Sequence, residues 1–191
     1  NAANGPSCCA PLLFGANFDD RTPQGFATSI LPGASTEFGW SPVSARSKSP
    51  PAALYFGNPT ARNYVSGTRR VGGHADTGTL RLSALANPQV SFWVWVDVDP
   101  LMGLDFVQVV ARTLPSYAET VLWSSREAFP SGRSDTNGDG IADFVQVRLS
   151  LRSLGAADVQ IRFTFDTTDE FNSPAYEGVY LDDVMVGEAC P

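Results

Sequence analysis

Nine short apolar stretches, each closed off by turn residues, set the tightest limit on what this chain folds into: Leu12 to Phe18, Ala53 to Phe56, Thr79 to Leu82, Val90 to Val98, Phe106 to Arg112, Thr120 to Trp123, Phe144 to Leu151, Val159 to Phe165 and Gly178 to Val186. Runs of this length bounded by Gly, Pro, Asn and Asp predict strands. Val90 to Val98 alternates, with Phe92, Val94, Val96 and Val98 on one face and Trp93, Trp95, Asp97 and Asp99 on the other. Phe144 to Leu151 repeats the pattern, setting Val145, Val147 and Leu149 against Gln146, Arg148 and Ser150. A side-chain period of two is the geometry of an extended chain. The 17 Gly and 14 Pro among 191 residues disfavour long helices, and no comparable run has a helical period. No Gly-rich turn opens onto a helix, which removes the sequence support for nucleotide-binding βαβ units. The prediction is all-β, a two-sheet antiparallel β-sandwich. The length suits one domain, read as residues 12–191 behind a leader of residues 1–11. Pro32 to Pro51, rich in Ser, Pro, Gly and Ala, reads as a long surface loop inside that domain.

The formal charge of -7 supplies no basic stripe to neutralise phosphates, so nucleic acid is excluded as a partner. No apolar run reaches the ~20 residues of a helical membrane span. The first residue is Asn, the mark of a processed chain or of a piece cut from a larger one. Cys8, Cys9 and Cys190 sit at the extremes of the sequence, as a clip joining the termini requires, and such a clip belongs to an oxidising compartment. The odd count leaves three fates for the third thiol: free, paired with another chain, or joined to its neighbour in a Cys8–Cys9 bridge.

The sharpest local signal is DTNGDGIAD, residues 135–143. Asp135, Asn137 and Asp139 hold positions 1, 3 and 5 of a calcium-loop pattern, Gly140 permits the bend at position 6, and the Ile141 carbonyl supplies position 7. Ca²⁺ takes 6–8 oxygens, and this spacing points several of them inward. Position 12 is Gln146 rather than a bidentate Glu, so Asp143 at position 9 must compensate. The same residues also suit a connection built from Asx-turns for backbone reasons alone.

The run VQIRFTFDTTDEFNSPAYEGVYLDDVMV, Val159 to Val186, resembles the closing hairpin of MAM-like and carbohydrate-binding-module-like jelly rolls, the accessory domains of secreted proteins of the immune inhibitor A type. ANFDDRTPQGF, ALYFGNP, GTLRLSAL and the pair SFWVWVDVD and DFVQVVA fall in the order of that pattern, and DTNGDGIAD is similar to dockerin and thrombospondin type 3 loops. The resemblance implies a jelly roll with its first and last strands side by side, which would bring Cys8 or Cys9 towards Cys190. It also implies a second structural calcium between Asp19 or Asp20 and the pair Asp182 and Asp183.

Catalytic patterns are missing: there is no HExxH or GxSxG, and His74, the single histidine, stands in GGHADTG, which reads as an exposed turn. Trp93 and Trp95 share a strand face with Asp97 and are candidates for an aromatic platform that stacks on sugar rings; the competing reading puts both under the Pro-rich loop or in a core. Trp40, Tyr64, Tyr117 and Trp123 are weaker candidates. The expectation is a non-catalytic, calcium-stabilised accessory or adhesion module, secreted or on the cell surface within a multidomain chain, whose partner is a protein or a glycan. The alternatives are a carbohydrate-binding module and a hydrolase on the same fold.

Overall fold

In a computed structural model the chain is described over residues 9–190, Cys9 by its backbone only. Twelve strands run β1 (Cys9–Ala16), β2 (Ala27–Ile30), β3 (Trp40–Val43), β4 (Ala53–Phe56), β5 (Gly72–Asp76), β6 (Leu80–Arg81), β7 (Pro88–Asp97), β8 (Phe106–Thr113), β9 (Ala118–Ser124), β10 (Val145–Ser150), β11 (Asp158–Asp166) and β12 (Gly178–Glu188). They form two antiparallel sheets. The first has the order β10-β7-β12-β4-β3, with β1 added beside the later half of β12; the second has the order β2-β5-β11-β8-β9, with β6 beside the start of β11.

Alternation decides which side chains meet between the sheets. Phe92, Val94 and Val96 of β7, with Val98 just beyond its end, share one buried core with Val159, Ile161, Phe163 and Phe165 of β11, as the period of two requires. Phe163 sits edge-on to both Phe92, at 5.1 Å, and Phe26, at 5.9 Å. Burying each such ring stabilises the fold by roughly 1.5–3 kcal/mol.

β12 crosses the centre of the first sheet and carries a bulge: its register with β7 slips between Asp182 and Met185, and Asp183 lies at φ 47°. β1 pairs only beyond that slip, with Ala16 opposite Val184 and Cys9 opposite Glu188. The first described strand thus starts at Cys9, three positions before Leu12. Cys8 and the rest of the predicted leader before Cys9 lie outside the described residues.

Three strands, β2, β3 and β5, stand where the sequence reading placed none. The segment Pro32 to Pro51 contains β3, whose Trp40 is buried and donates its indole N–H to the Gly73 carbonyl at 3.1 Å. His74 is not in a flexible turn but in β5, half-buried between β2 and β11. Of the other aromatic candidates Tyr64 is fully buried and Trp123 packs against the core, which leaves Tyr117 exposed.

Candidate functional site

The two outer faces of the sandwich have opposite characters. On the first sheet, β7 turns Trp93, Trp95 and Asp97 outward together, as predicted, but they form no open platform. Trp95 is only 4% exposed and belongs to a second apolar cluster with Ala53, Tyr55, Ala142 and Tyr180. Its indole N–H donates to the Ala142 carbonyl at 2.7 Å, and the Arg46 guanidinium lies 4.4 Å above its ring. Lys48 Nζ covers Trp93 at 4.1 Å. A strap around residues 44–52 therefore lies over the tryptophans, its two cations held by their π-faces. Asp97 accepts from Arg133 Nε at 2.7 Å and from the Glu177 backbone N–H at 3.2 Å, so it is committed to the scaffold.

Glu177 and Asp182 fasten the strap. Glu177 accepts Nε and Nη2 of Arg46 at 3.0 and 2.9 Å, both Arg62 nitrogens, and the Tyr180 hydroxyl at 2.6 Å. Burial pushes its pKa up, but these donors outweigh burial and hold it below the ordinary value. Asp182 is fully buried and accepts the backbone N–H groups of Lys48 at 2.7 Å and Ser49 at 3.0 Å. Burial, with the Asp183 charge beside it, pushes its pKa up to about 7.

The calcium-related acids are distributed differently from the sequence expectation. Asp183 accepts from the Ser49 hydroxyl. Asp19 accepts from Asn17 Nδ2, and Asp20 from the Thr22 N–H and hydroxyl, both within one exposed turn. Each carboxylate meets local donors instead of converging. Among the described residues no three His, Cys, Asp or Glu side chains stand together as a metal site, which holds for Asp135, Asp139 and Asp143 as it does for Asp19, Asp20, Asp182 and Asp183.

In the loop 135–143, Asp135 accepts the N–H groups of Gly138 at 2.7 Å and Gly140 at 2.8 Å, Asn137 accepts that of Asp139, and Asp139 that of Ile141. The Gly140 and Gly138 N–H groups hold the Asp135 pKa below its ordinary value. Asp143 ties the far end back to Thr136.

The second sheet's outer face is polar, and its side chains bond to one another. Arg162 of β11 forks onto Asp76 of β5 with two bonds of 2.7 Å and reaches Glu119 of β9 at 3.3 Å. Arg112 of β8 donates to Gln160 at 3.2 Å and stands 3.6 Å from Asp76. His74 Nδ1 and Thr164 Oγ1 share a bond of 2.9 Å, and burial followed by the Arg162 charge lowers the His74 pKa. At the rim, Tyr117 is 51% exposed, with Arg112 4.8 Å from its ring centroid. Sequence reasoning missed this set, although the outward register of Gln160, Arg162 and Thr164 was readable from the alternation of β11.

No protein-family model matches the chain, and no curated protein matches it. Solved structures share its fold. The K1 cleaved adhesin domain of Lys-gingipain from Porphyromonas gingivalis W83 superposes with a TM-score of 0.62 at 16% identity, covering 93% of this chain and 98% of that one. A structure described under the promiscuous specificity of carbohydrate-binding modules from the β-sandwich superfamily gives 0.53 at 16% identity, over 92% of this chain and 61% of that one. A module specific for non-crystalline cellulose, CBM28, gives 0.50 at 14% identity, over 94% of each chain. The chain is thus a two-sheet β-sandwich of the architecture found in adhesin and carbohydrate-binding domains. At these identities the likeness establishes fold and nothing finer.

Proposed function

We propose that this chain is a non-catalytic binding module, an accessory or adhesion domain of a larger secreted or cell-surface protein, and that it meets its target through the outer face of the second sheet. One observation carries the reading: a fastened strap lies over the tryptophan face, while the opposite face presents a polar lattice whose charges Arg162, Arg112, Asp76 and Glu119 are balanced within it. Binding without chemistry suits such a face, because both carboxylates are tied into arginines rather than left in a cleft. The names of the similar domains, adhesin and carbohydrate-binding module, support the same class.

A glycan target is favoured by Tyr117, whose ring is half exposed and backed by Arg112, which itself donates to Gln160 and stands 3.5 Å from Glu119. An aromatic face next to fixed donors and acceptors is what a pyranose needs. A glycan array tests this. Wild type should bind at least one sugar class, Tyr117→Ala should lose tenfold or more, and Trp93→Ala should match wild type. An array silent for wild type would leave the protein-adhesion reading and remove the glycan one.

Two structural supports complete the proposal. Calcium would be held in the loop 135–143 by Asp135, Asn137, Asp139, Asp143 and the Ile141 carbonyl. Asp135 Oδ2, Asn137 Oδ1 and Asp139 Oδ1 each accept one bond within the loop and keep a lone pair, whereas Asp135 Oδ1 and Asp143 Oδ2 each accept two, so the donor set fits a hard cation once the loop draws the other oxygens of Asp139 and Asp143 inward. A disulfide clip would link Cys190 to Cys9 or Cys8, since the Cys9 backbone pairs with Glu188. A non-reducing peptide map should recover Cys190 linked to an N-terminal cysteine; recovery of reduced Cys190 peptide alone would remove the clip.

A further inference from the structure

One recess lies outside both sheet faces, between the segment that follows β2 and the one that leads into β5. Its volume is about 430 Å³, with Ser35, Thr36 and Glu37 on one side and Ser66, Thr68 and Arg69 on the other. The lining holds no aromatic ring and no Val, Leu, Ile or Met. Such a recess selects a polar ligand.

The segments that form it are tied in place. The Ser35 N–H donates to the Arg70 carbonyl at 2.8 Å, next to the bond from the Leu31 N–H to the Gly72 carbonyl that prolongs the pairing of β2 with β5. Asn172 Nδ2 donates to the Arg69 carbonyl at 2.9 Å. Between the segments, the buried hydroxyls of Ser35 and Ser66 make a closed floor. The Ser66 hydroxyl donates to Glu37 Oε2 at 2.7 Å, which uses its single proton, so Ser35 is the donor in their 2.6 Å contact. Ser35 Oγ in turn accepts the Glu37 N–H at 3.2 Å. The floor keeps no proton for a ligand and serves to aim Glu37.

The walls differ. Among the described residues, Glu37 Oε1, the Thr36 and Thr68 hydroxyls and the Arg69 guanidinium have no hydrogen-bond partner. Arg69 stands without an acid, while its neighbour Arg70 is paired with Asp166. Glu37 and Arg69 line the same recess and yet form no ion pair with each other. Opposite charges set apart across a satisfied floor suit a ligand with complementary groups at its two ends.

We infer that this recess is a second binding site, and that it takes a pyranose bearing a carboxylate, a uronic or sialic acid unit of a glycan. The planar Arg69 guanidinium meets the carboxylate with two parallel bonds. Glu37 Oε1 accepts from ring hydroxyls, and the two threonine hydroxyls both donate and accept. A neutral sugar would lack the charged bond and has no aromatic face here to stack on. A free amino acid would place its ammonium on Glu37 and leave the threonine hydroxyls unused. Thr36, Glu37, Thr68 and Arg69 are all exposed, so the rest of a glycan has a path to solvent. The site is independent of the sheet face proposed above. Gly72, just beyond Arg69, pairs with Asp166 at one end of β11, whereas Thr113, just before Tyr117, pairs with Val159 at the other.

Nuclear magnetic resonance titrations test the proposal, with methyl glucuronide, the methyl glycoside of N-acetylneuraminic acid, methyl glucoside and free glutamate as probes. At least one acidic sugar should give saturable amide shifts at residues 35–37 and 66–69, and whichever does so identifies the source of the carboxylate. Arg69→Gln should weaken that binding tenfold or more and remove its salt dependence, with amide shifts elsewhere in the chain unchanged. Tyr117→Ala should bind as wild type does, so that failure of the sheet-face site and failure of this one are read separately. No saturable shift with either acidic sugar, equal affinity for methyl glucoside or glutamate, or undiminished binding by Arg69→Gln would overturn the proposal. So would shifts confined to the strands of the second sheet, which would assign the acidic sugars to that face instead.

Discussion

Two buried carboxyl groups make the stability of this fold depend on pH in a direction opposite to that of most acidic proteins. Asp105 and Asp182 are each pushed up to about 7 from 3.8, chiefly by burial. Folded, each holds its proton up to about pH 7; unfolded, each releases it near pH 4. The folded state therefore binds more protons between those values, and stability falls as pH rises through that window. The contribution is complete below about pH 4 and gone above about pH 7. Groups held low, such as Glu177 and Asp135, act oppositely at lower pH, and His74, held below 6.5, opposes the trend inside the window as one half-buried group against two buried acids. Thermal melts from pH 5 to 7.5 should show the wild-type melting temperature declining, and Asp105→Asn/Asp182→Asn should flatten the profile. A wild-type melt that rises across the same range would refute the assignment. Neither acid could be singled out from the sequence, since its proton depends on which side chains enclose it.

At the scale of elements, legibility followed the strength of the alternation. β7, β10 and β11 have long apolar–polar patterns and were readable; β2, β3 and β5 were not, because they are four or five residues long and contain Pro, Gly-Gly or exposed polar positions. Such segments become strands through their neighbours, as β5 does by lying between β2 and β11. The loop 135–143 was conspicuous as a pattern, yet its residues satisfy a turn whether or not a cation joins them. Calcium at one hundred times its dissociation constant should stabilise the fold by about 2.7 kcal/mol if it binds only the folded state. Differential scanning calorimetry should accordingly give a higher melting temperature in calcium than in chelator, and Asp139→Ala should abolish the difference. Identical melts for the unaltered chain would leave the loop as a self-bonded connection.

For the whole molecule, which sheet face stands open was the least legible feature, because exposure of a sheet face is decided by distant chain. Trp93 and Trp95 look available in their own strand; a strap about fifty positions earlier in sequence, fastened by Glu177 and Asp182 far downstream, covers them. The same long-range construction predicts one cooperative unit. β12 pairs with β1, β4 and β7, and Phe163 reaches from the second sheet to Phe92 in the first and to Phe26 before β2. Phe163→Ala removes these ring contacts where the surrounding sheets cannot collapse, so it should cost about 3–5 kcal/mol. Val121→Ala, on an exposed side chain, should stay within about 0.5 kcal/mol. In urea, far-ultraviolet dichroism and tryptophan fluorescence should give coincident transitions for both variants, with the Phe163→Ala midpoint displaced and its slope unchanged. Separate transitions for the two probes would mean that the strap and its tryptophan cluster open independently of the main core, and the tryptophan face would then be available for binding after all.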